Sequence, residues 1–232
     1  MPRLISHRGA WWPRRDLQNH PASVMAALSA GYGIEVDVWG VRDQRLVLRH
    51  DESSAAHELT LATPASGQLF LHLKAAQNGM MEHLVNTLRL RGWLEHAYLF
   101  CSPSNDGLLV EAKDLVRRSG IGERLRTLAT VDSLDGLNAL LDQPDSLGGA
   151  DGAWLEQSDG DWVDSDAIYF LHEAGKSAWV VSSELHGRPL NLGLAVGCWQ
   201  EADGICTDYP HLLARVLDRD DSVVHPKEPW WE

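Results

Sequence analysis

The sequence has little cysteine, no long apolar run and a shortage of positive charge. Its three cysteines, Cys101, Cys198 and Cys206, form no CxxC pair and are odd in number. A reduced, cytoplasmic chain is therefore expected. Nowhere do about 18 uninterrupted apolar residues occur, so no membrane span or anchor is expected. The first residues, Met1 to His7, reach polar chemistry without an apolar run, and no signal peptide is read there. Lys and Arg number 20 against 33 Asp and Glu, a formal charge of −13. A chain this acidic lacks the basic face that a nucleic-acid binder needs. A small anion held in a local pocket by its own cation remains compatible with that charge.

What is present is ordinary globular composition, with 44% hydrophobic and 23% charged residues. A chain of 232 residues can bury a sizeable core without disulfides or a structural metal. Its ten tryptophans are a high share, suited to core packing or to stacking against sugars.

Apolar runs of strand length alternate with amphipathic runs of helix length. Strands are predicted at Arg3–Ser6, Gly33–Val38, Leu69–Lys74, Ala97–Cys101, Leu125–Ala129, Gly152–Leu155, Ala178–Ser182 and Gly204–Thr207, with a short extra one at Arg45–Arg49 after an Asp43-Gln44 turn. Helices are predicted at Pro21–Ala30, Met80–Arg91, Leu108–Arg118, Leu134–Leu141, Ser165–Glu173, Leu190–Val196 and His211–Leu217. Gln143–Gly152 is the clearest loop. About eight strand–helix units predict an α/β fold with a parallel sheet, a (βα)₈ TIM barrel over residues 1–218, with 219–232 as a C-terminal tail. A doubly wound open sheet is the alternative.

The candidate chemistry falls at strand ends, where a barrel places its active site. His7-Arg8-Gly9 ends the first strand, Glu35-Val36-Asp37 lies near the end of the second, His50-Asp51 ends the short strand, and His72-Leu73-Lys74 ends the next. Residues at i and i+2 share a strand face, so Glu35 pairs with Asp37 and His72 with Lys74. Two carboxylates on one inward face need positive charge between them. A divalent cation supplies it; salt bridges to Arg8 and Lys74 would also do so. His7 and His50 suit an acid and a base because imidazole titrates near neutrality. Arg8 suits a phosphate oxygen, Lys74 adds a second positive charge, and Gly9 allows a sharp turn. The set fits cation-assisted phosphodiester cleavage.

His7-Arg8-Gly9, Gln18-Asn19-His20, Glu35-Val36-Asp37, His50-Asp51 and the late segment Asp203 to Pro210 resemble the glycerophosphodiester phosphodiesterase family. The resemblance implies a (βα)₈ barrel of the phospholipase-C-like phosphodiesterase type acting on a small soluble glycerol- or sugar-linked phosphodiester. It implies His7 and His50 as the catalytic pair, with His7 given the base role and His50 the acid role, or the reverse. It implies Glu35 and Asp37 as metal carboxylates, and Arg8 and Lys74 as phosphate contacts. Mg or Ca is the ion implied. His72 stands where the family has a third carboxylate, which makes it a candidate metal ligand and brings Mn or Zn into consideration. Gln18 stands where the family has Glu. Only about 20 residues separate His50 from His72, so the usual insertion is missing. Ser182 to Arg188 resembles a stretch found in short members of this barrel group, and makes Glu184, His186 and Arg188 candidates for substrate contact. Trp154 and Trp179 are candidates for core packing or for a pocket wall, and Cys101 for the core.

A barrel that binds a phosphate ester with weak or lost catalysis is the competing function. An aldolase or isomerase barrel using Lys74 is a weaker third. Oligomeric state is not encoded in any readable signal.

Overall fold

The computed structural model describes residues 1–41, 45–59, 67–75, 79–119, 125–142 and 149–217. The Asp43-Gln44 turn, most of the Gln143–Gly152 loop and the tail from Arg219 lie outside the described residues.

Ten strands occur in the described chain: β1 (Arg3–His7), β2 (Gly33–Val41), β3 (Arg45–Leu48), β4 (His57–Glu58), β5 (Leu69–Ala75), β6 (Ala97–Cys101), β7 (Arg126–Val131), β8 (Gly152–Leu155), β9 (Ser177–Val181) and β10 (Gly204–Thr207). Eight of them are parallel, in the order β1-β10-β9-β8-β7-β6-β5-β2, and β1 also pairs with β2. That last pairing closes the sheet and excludes the doubly wound alternative. β3 runs antiparallel to β2, and β4 antiparallel to β3. β2 extends beyond the predicted Val38 because its outer end continues as an arm of this hairpin, with Val41 opposite Arg45.

Seven helices among the described residues surround the barrel: α1 (Pro21–Ser29), α2 (Met80–Leu90), α3 (Gly107–Ser119), α4 (Leu134–Asp142), α5 (Ser165–Glu173), α6 (Leu192–Gly197) and α7 (Pro210–Val216). Their starts reflect local chemistry. α1 has Pro21 in its first turn and the His20 ring accepting from the Ala22 amide. Asp164 accepts from the Ala167 amide at the start of α5. Asn191 accepts from the Leu194 amide, which starts α6 two residues later than the apolar pattern predicted. These caps satisfy amides that no helical carbonyl can reach.

Strand alternation sorts side chains into two environments. Ile34, Val36 and Val38 of β2 and Leu69, Leu71 and Leu73 of β5 face the helices. Leu4, Ala153, Leu155, Val180 and Ile205 do the same on the other side. The residues between them point inward. Ile5, Phe70, Tyr98, Phe100, Trp154 and Trp179 are among those that fill the barrel. Phe70 stacks on Tyr98 with centroids 4.7 Å apart, and Phe100 on Trp154 at 4.4 Å. This aromatic plug fills the interior between the polar groups at the C-terminal end and a small polar set at the other end, where Gln68 and Arg126 bond to the Tyr98 hydroxyl.

Gly204 illustrates how tightly the plug fits. A Cβ there would lie 2.7 Å from the Trp179 ring and 2.8 Å from the Arg3 carbonyl oxygen. Overpacking of this kind costs about 1–3 kcal/mol. Gly204→Ala is expected to lower unfolding free energy by that amount, read as a lower urea midpoint with unchanged slope.

Candidate active site

The site is assembled where β1, β2 and β5 end. His7 is the last residue of β1, and the parallel register places it opposite Glu35. The same register sets Asp37 opposite His72. The chain then turns sharply. Arg8 has φ +56° and Gly9 φ +97°, and a Cβ on Gly9 would meet Ser23 at 2.5 Å. A left-handed arginine is costly unless its surroundings hold it. Here the Arg8 amide donates to the Glu35 carbonyl, and the Arg8 carbonyl accepts from the Asn19 amide, both at 2.9 Å. The turn returns the Arg8 side chain to the strand ends, with Nε 2.7 Å from Asp37 Oδ2.

Asp37 is fully buried. Besides Arg8, it has Lys74 Nζ 3.0 Å from Oδ1. Asn19 clamps it at two points: its Nδ2 donates to Asp37 Oδ2 at 2.9 Å, and its Oδ1 accepts from the Asp37 amide at 3.0 Å. Burial pushes the Asp37 carboxyl up, but Arg8, Lys74, His72 and Asn19 together outweigh it and hold it below the usual range. Glu35 is also buried and has less cationic support. Burial, and then the charge of Asp37, push it up to about 8. His72 stacks against Phe100 at 4.6 Å. Burial, and then the Lys74 charge, bring its ring down to about 4, so the imidazole is neutral at pH 7.

Glu35, Asp37 and His72 each offer a donor atom, all within 4.8 Å of one another. Glu35 Oε2 is buried and accepts no hydrogen bond, and Asp37 Oδ1 is buried and met by the Lys74 ammonium at 3.0 Å. Two such carboxylate oxygens beside a neutral imidazole fit a divalent cation. A cation against Glu35 would favour its charged form over the protonated one.

His7 is held from the far side. Its Nδ1 lies 2.7 Å from Asp208 Oδ1, just beyond β10, and its Nε2 3.9 Å from Glu35 Oε2. Burial lowers its pKa, and the Asp208 hydrogen bond only partly offsets this. With Nδ1–H donated to Asp208, Nε2 keeps a lone pair, the state a general base requires.

A cavity of about 200 Å³ opens among these groups, walled by His7, Arg8, Glu35, His72 and Lys74 on one side and by Glu156 and His186 on the other. Glu156 is the first residue after β8. Its Oε1 accepts from Trp154 Nε1 at 3.0 Å, and its Oε2 lies 3.0 Å from His186 Nε2. The Gln157 amide lies 3.4 Å from the same ring nitrogen.

The other sequence candidates lie elsewhere. The His50 side chain is 47% exposed, with Nδ1 3.2 Å from Asp51, and it does not line this cavity. Glu184 has both oxygens engaged, by the hydroxyls of Ser182 and Thr207 and by the Asp208 amide at 3.1 Å. Arg188 pairs with Asp161 at 2.8 Å. Gln18 does not line the cavity either. Trp154 both packs in the barrel and walls the cavity, whereas Trp179 only packs. Cys101 is buried, and its thiol is pushed up to about 12 by that burial, as a core residue would be.

Sequence reasoning assigned no role to Asn19, Glu156 or Asp208. Asn19 carried a signal, since an Asn two residues before a helical proline suits a left-handed turn; its φ is +58°. Asp208 sits one residue past an apolar strand. Removing the Asn19 side chain strips a buried carboxylate of one partner and the buried Asp37 amide of its side-chain acceptor. Leaving such groups unpaired costs about 1–3 kcal/mol. Asn19→Gly, which tolerates the positive φ, is expected to lose that much stability in chemical denaturation.

No protein-family model matches the chain, and no curated protein sequence matches it. Solved structures do. An Oleispira antarctica phosphodiesterase, solved in complex with the product sn-glycerol-3-phosphate, is similar at TM-score 0.68 and 19% identity, over 94% of this chain and 97% of that one. Two glycerophosphodiester phosphodiesterases from Parabacteroides distasonis are similar at TM-scores 0.62 and 0.61, with 14% and 16% identity. The first covers 94% of this chain and 86% of that one, the second 93% and 96%. The closed (βα)₈ barrel is therefore the architecture on which these phosphodiesterases are built.

Proposed function

We propose that the protein is a metal-dependent phosphodiesterase acting on a small soluble glycerol- or sugar-linked phosphodiester. The observation that carries this reading is the convergence of His7, buried Glu35 and Asp37, neutral His72, Arg8 and Lys74 on one cavity at the C-terminal mouth of the barrel. The likeness to solved phosphodiesterases supports it. So does cavity size: about 200 Å³ lies below the roughly 300–1,000 Å³ of sites for drug-sized ligands. Between His50 and His72, the described residues form no regular structure besides the two-residue β4 before β5 begins, so nothing described there builds a second substrate wall.

Glu35, Asp37 and His72 would hold the ion, whose charge would stabilise the negative charge that builds on phosphorus-bound oxygens. The imidazole donor favours Mn or Zn over Ca. Arg8 and Lys74 already flank Asp37 and would orient a phosphate oxygen at the cavity edge. His7, oriented by Asp208, accepts the proton of the attacking hydroxyl through Nε2. The aromatic plug below keeps bulk water from the floor and strengthens each of these charge interactions.

A second reading, a barrel that binds a phosphate ester without turning it over, draws support from Asp37. Its carboxylate is already engaged by Arg8, Lys74 and Asn19. A panel of phosphodiesters assayed with and without EDTA separates the two. Turnover is expected, lost on chelation, and reduced by about a hundredfold or more in His7→Asn, the order expected for a general base. Turnover that ignores EDTA overturns the metal dependence, a His7→Asn variant equal to wild type overturns the role of His7, and a wild type that turns over none of the panel overturns the hydrolytic reading.

Metal binding has its own readout. At a hundredfold excess over its Kd, Mn²⁺ is expected to stabilise the fold by about 2.7 kcal/mol. Glu35→Gln is expected to remove most of the corresponding thermal shift.

A further inference from the structure

Phosphodiester cleavage moves two protons, one from the attacking hydroxyl and one onto the leaving alcohol. His7 accounts for the first. The far wall of the cavity carries a second imidazole with its own carboxylate, His186 beside Glu156. Each of these side chains is only 21% exposed. Glu156 is fixed from below by Trp154 Nε1. The loop bearing His186 is fixed too: the Ser183 hydroxyl donates to the Pro189 carbonyl at 2.7 Å, and Glu184 ties the loop to β10. His50 differs on each count, being half exposed, paired among the described residues with its neighbour Asp51, and absent from the cavity wall.

We propose that His186, positioned by Glu156, is the general acid that protonates the leaving alcohol, an assignment that rests on the phosphodiesterase reading above. The step balances. His7 Nε2 takes the proton of the attacking hydroxyl as its oxygen bonds to phosphorus. The bond from phosphorus to the leaving oxygen breaks, and its electron pair goes to that oxygen. The proton of the His186 imidazolium moves onto it. One imidazole gains a proton as the other loses one. Where the attacker is a hydroxyl of the substrate, water reopens the cyclic phosphate by the same transfers in reverse. Glu156 is a positioning residue that holds the ring at the cavity wall.

An alkoxide is a poor leaving group and needs that proton, whereas p-nitrophenolate leaves without it. Two esters of glycerol 3-phosphate, one of ethanol and one of p-nitrophenol, therefore isolate the acid. Both are assayed with Mn²⁺ on the same preparation of each variant, and the ratio of kcat values is read. His186→Asn is expected to lower the ethyl-to-nitrophenyl ratio by about a hundredfold to ten-thousandfold, the range general acids supply. Glu156→Gln should lower it in the same direction by less. His7→Asn should slow both esters and leave the ratio near that of wild type.

A ratio unchanged in His186→Asn, or a ratio that falls in His50→Asn instead, overturns the assignment while leaving the hydrolase standing. A wild-type protein that cleaves neither ester overturns both. A cooperative thermal unfolding transition shows that each variant is folded.

Discussion

Asp37 has no exposed surface, and an ionised carboxylate in such a place costs several kcal/mol unless its surroundings answer it. Here they do so with two cations and an amide. The arginine comes from the turn after β1, the lysine from β5 and the asparagine from the residue before the His20 cap of α1. Each partner belongs to a different segment, so the carboxylate acts as the point at which β1, β2, β5 and the entry to α1 are tied together. The unusual backbone of Arg8 and Asn19, both left-handed, is a consequence. Each side chain reaches Asp37 only because the chain turns back on itself there.

The neighbouring Glu35 shows what happens without such support. It lies two residues away on the same strand face, equally buried, and its proton is held far more tightly. One strand thus presents two carboxylates in different states, set by which of them the cations reach. That asymmetry suits a centre that must accept a doubly charged ion while keeping an anion-attracting edge. The aromatic plug contributes by excluding water from below, which raises Glu35 and lowers His72 through the same loss of hydration.

Much of the barrel was legible in the sequence because parallel strands with both faces buried must be apolar on each side. A polar residue inside such a run is then conspicuous, and Glu35, Asp37, His72 and Lys74 were visible for that reason. The i, i+2 spacing put each pair on one face, and the structure shows both the cluster suited to a cation and the salt bridges to Arg8 and Lys74 that the sequence left as alternatives. Residues beyond a strand's end are harder to read. Glu156 and Asp208 stand in loops whose direction depends on tertiary packing, and no periodicity governs them; His186 was reached only through the resemblance of its loop. Glu184 sits among equally polar neighbours, and only coordinates reveal that its oxygens serve the Ser182 and Thr207 hydroxyls. The position of His50 depended on the β3 hairpin, which carries it along the rim.

Glu184 adds a link between two neighbouring strand ends. Its carboxylate grips the loop after β9 and the first residue beyond β10, and that residue, Asp208, orients the His7 ring. Barrels are often regarded as scaffolds with interchangeable loops. In this one the rim is not modular over that arc: the β9 loop and the β1 imidazole form one mechanical unit, and transplanting the loop into another barrel would carry its geometry across only if the threonine and aspartate at the end of β10 travelled with it.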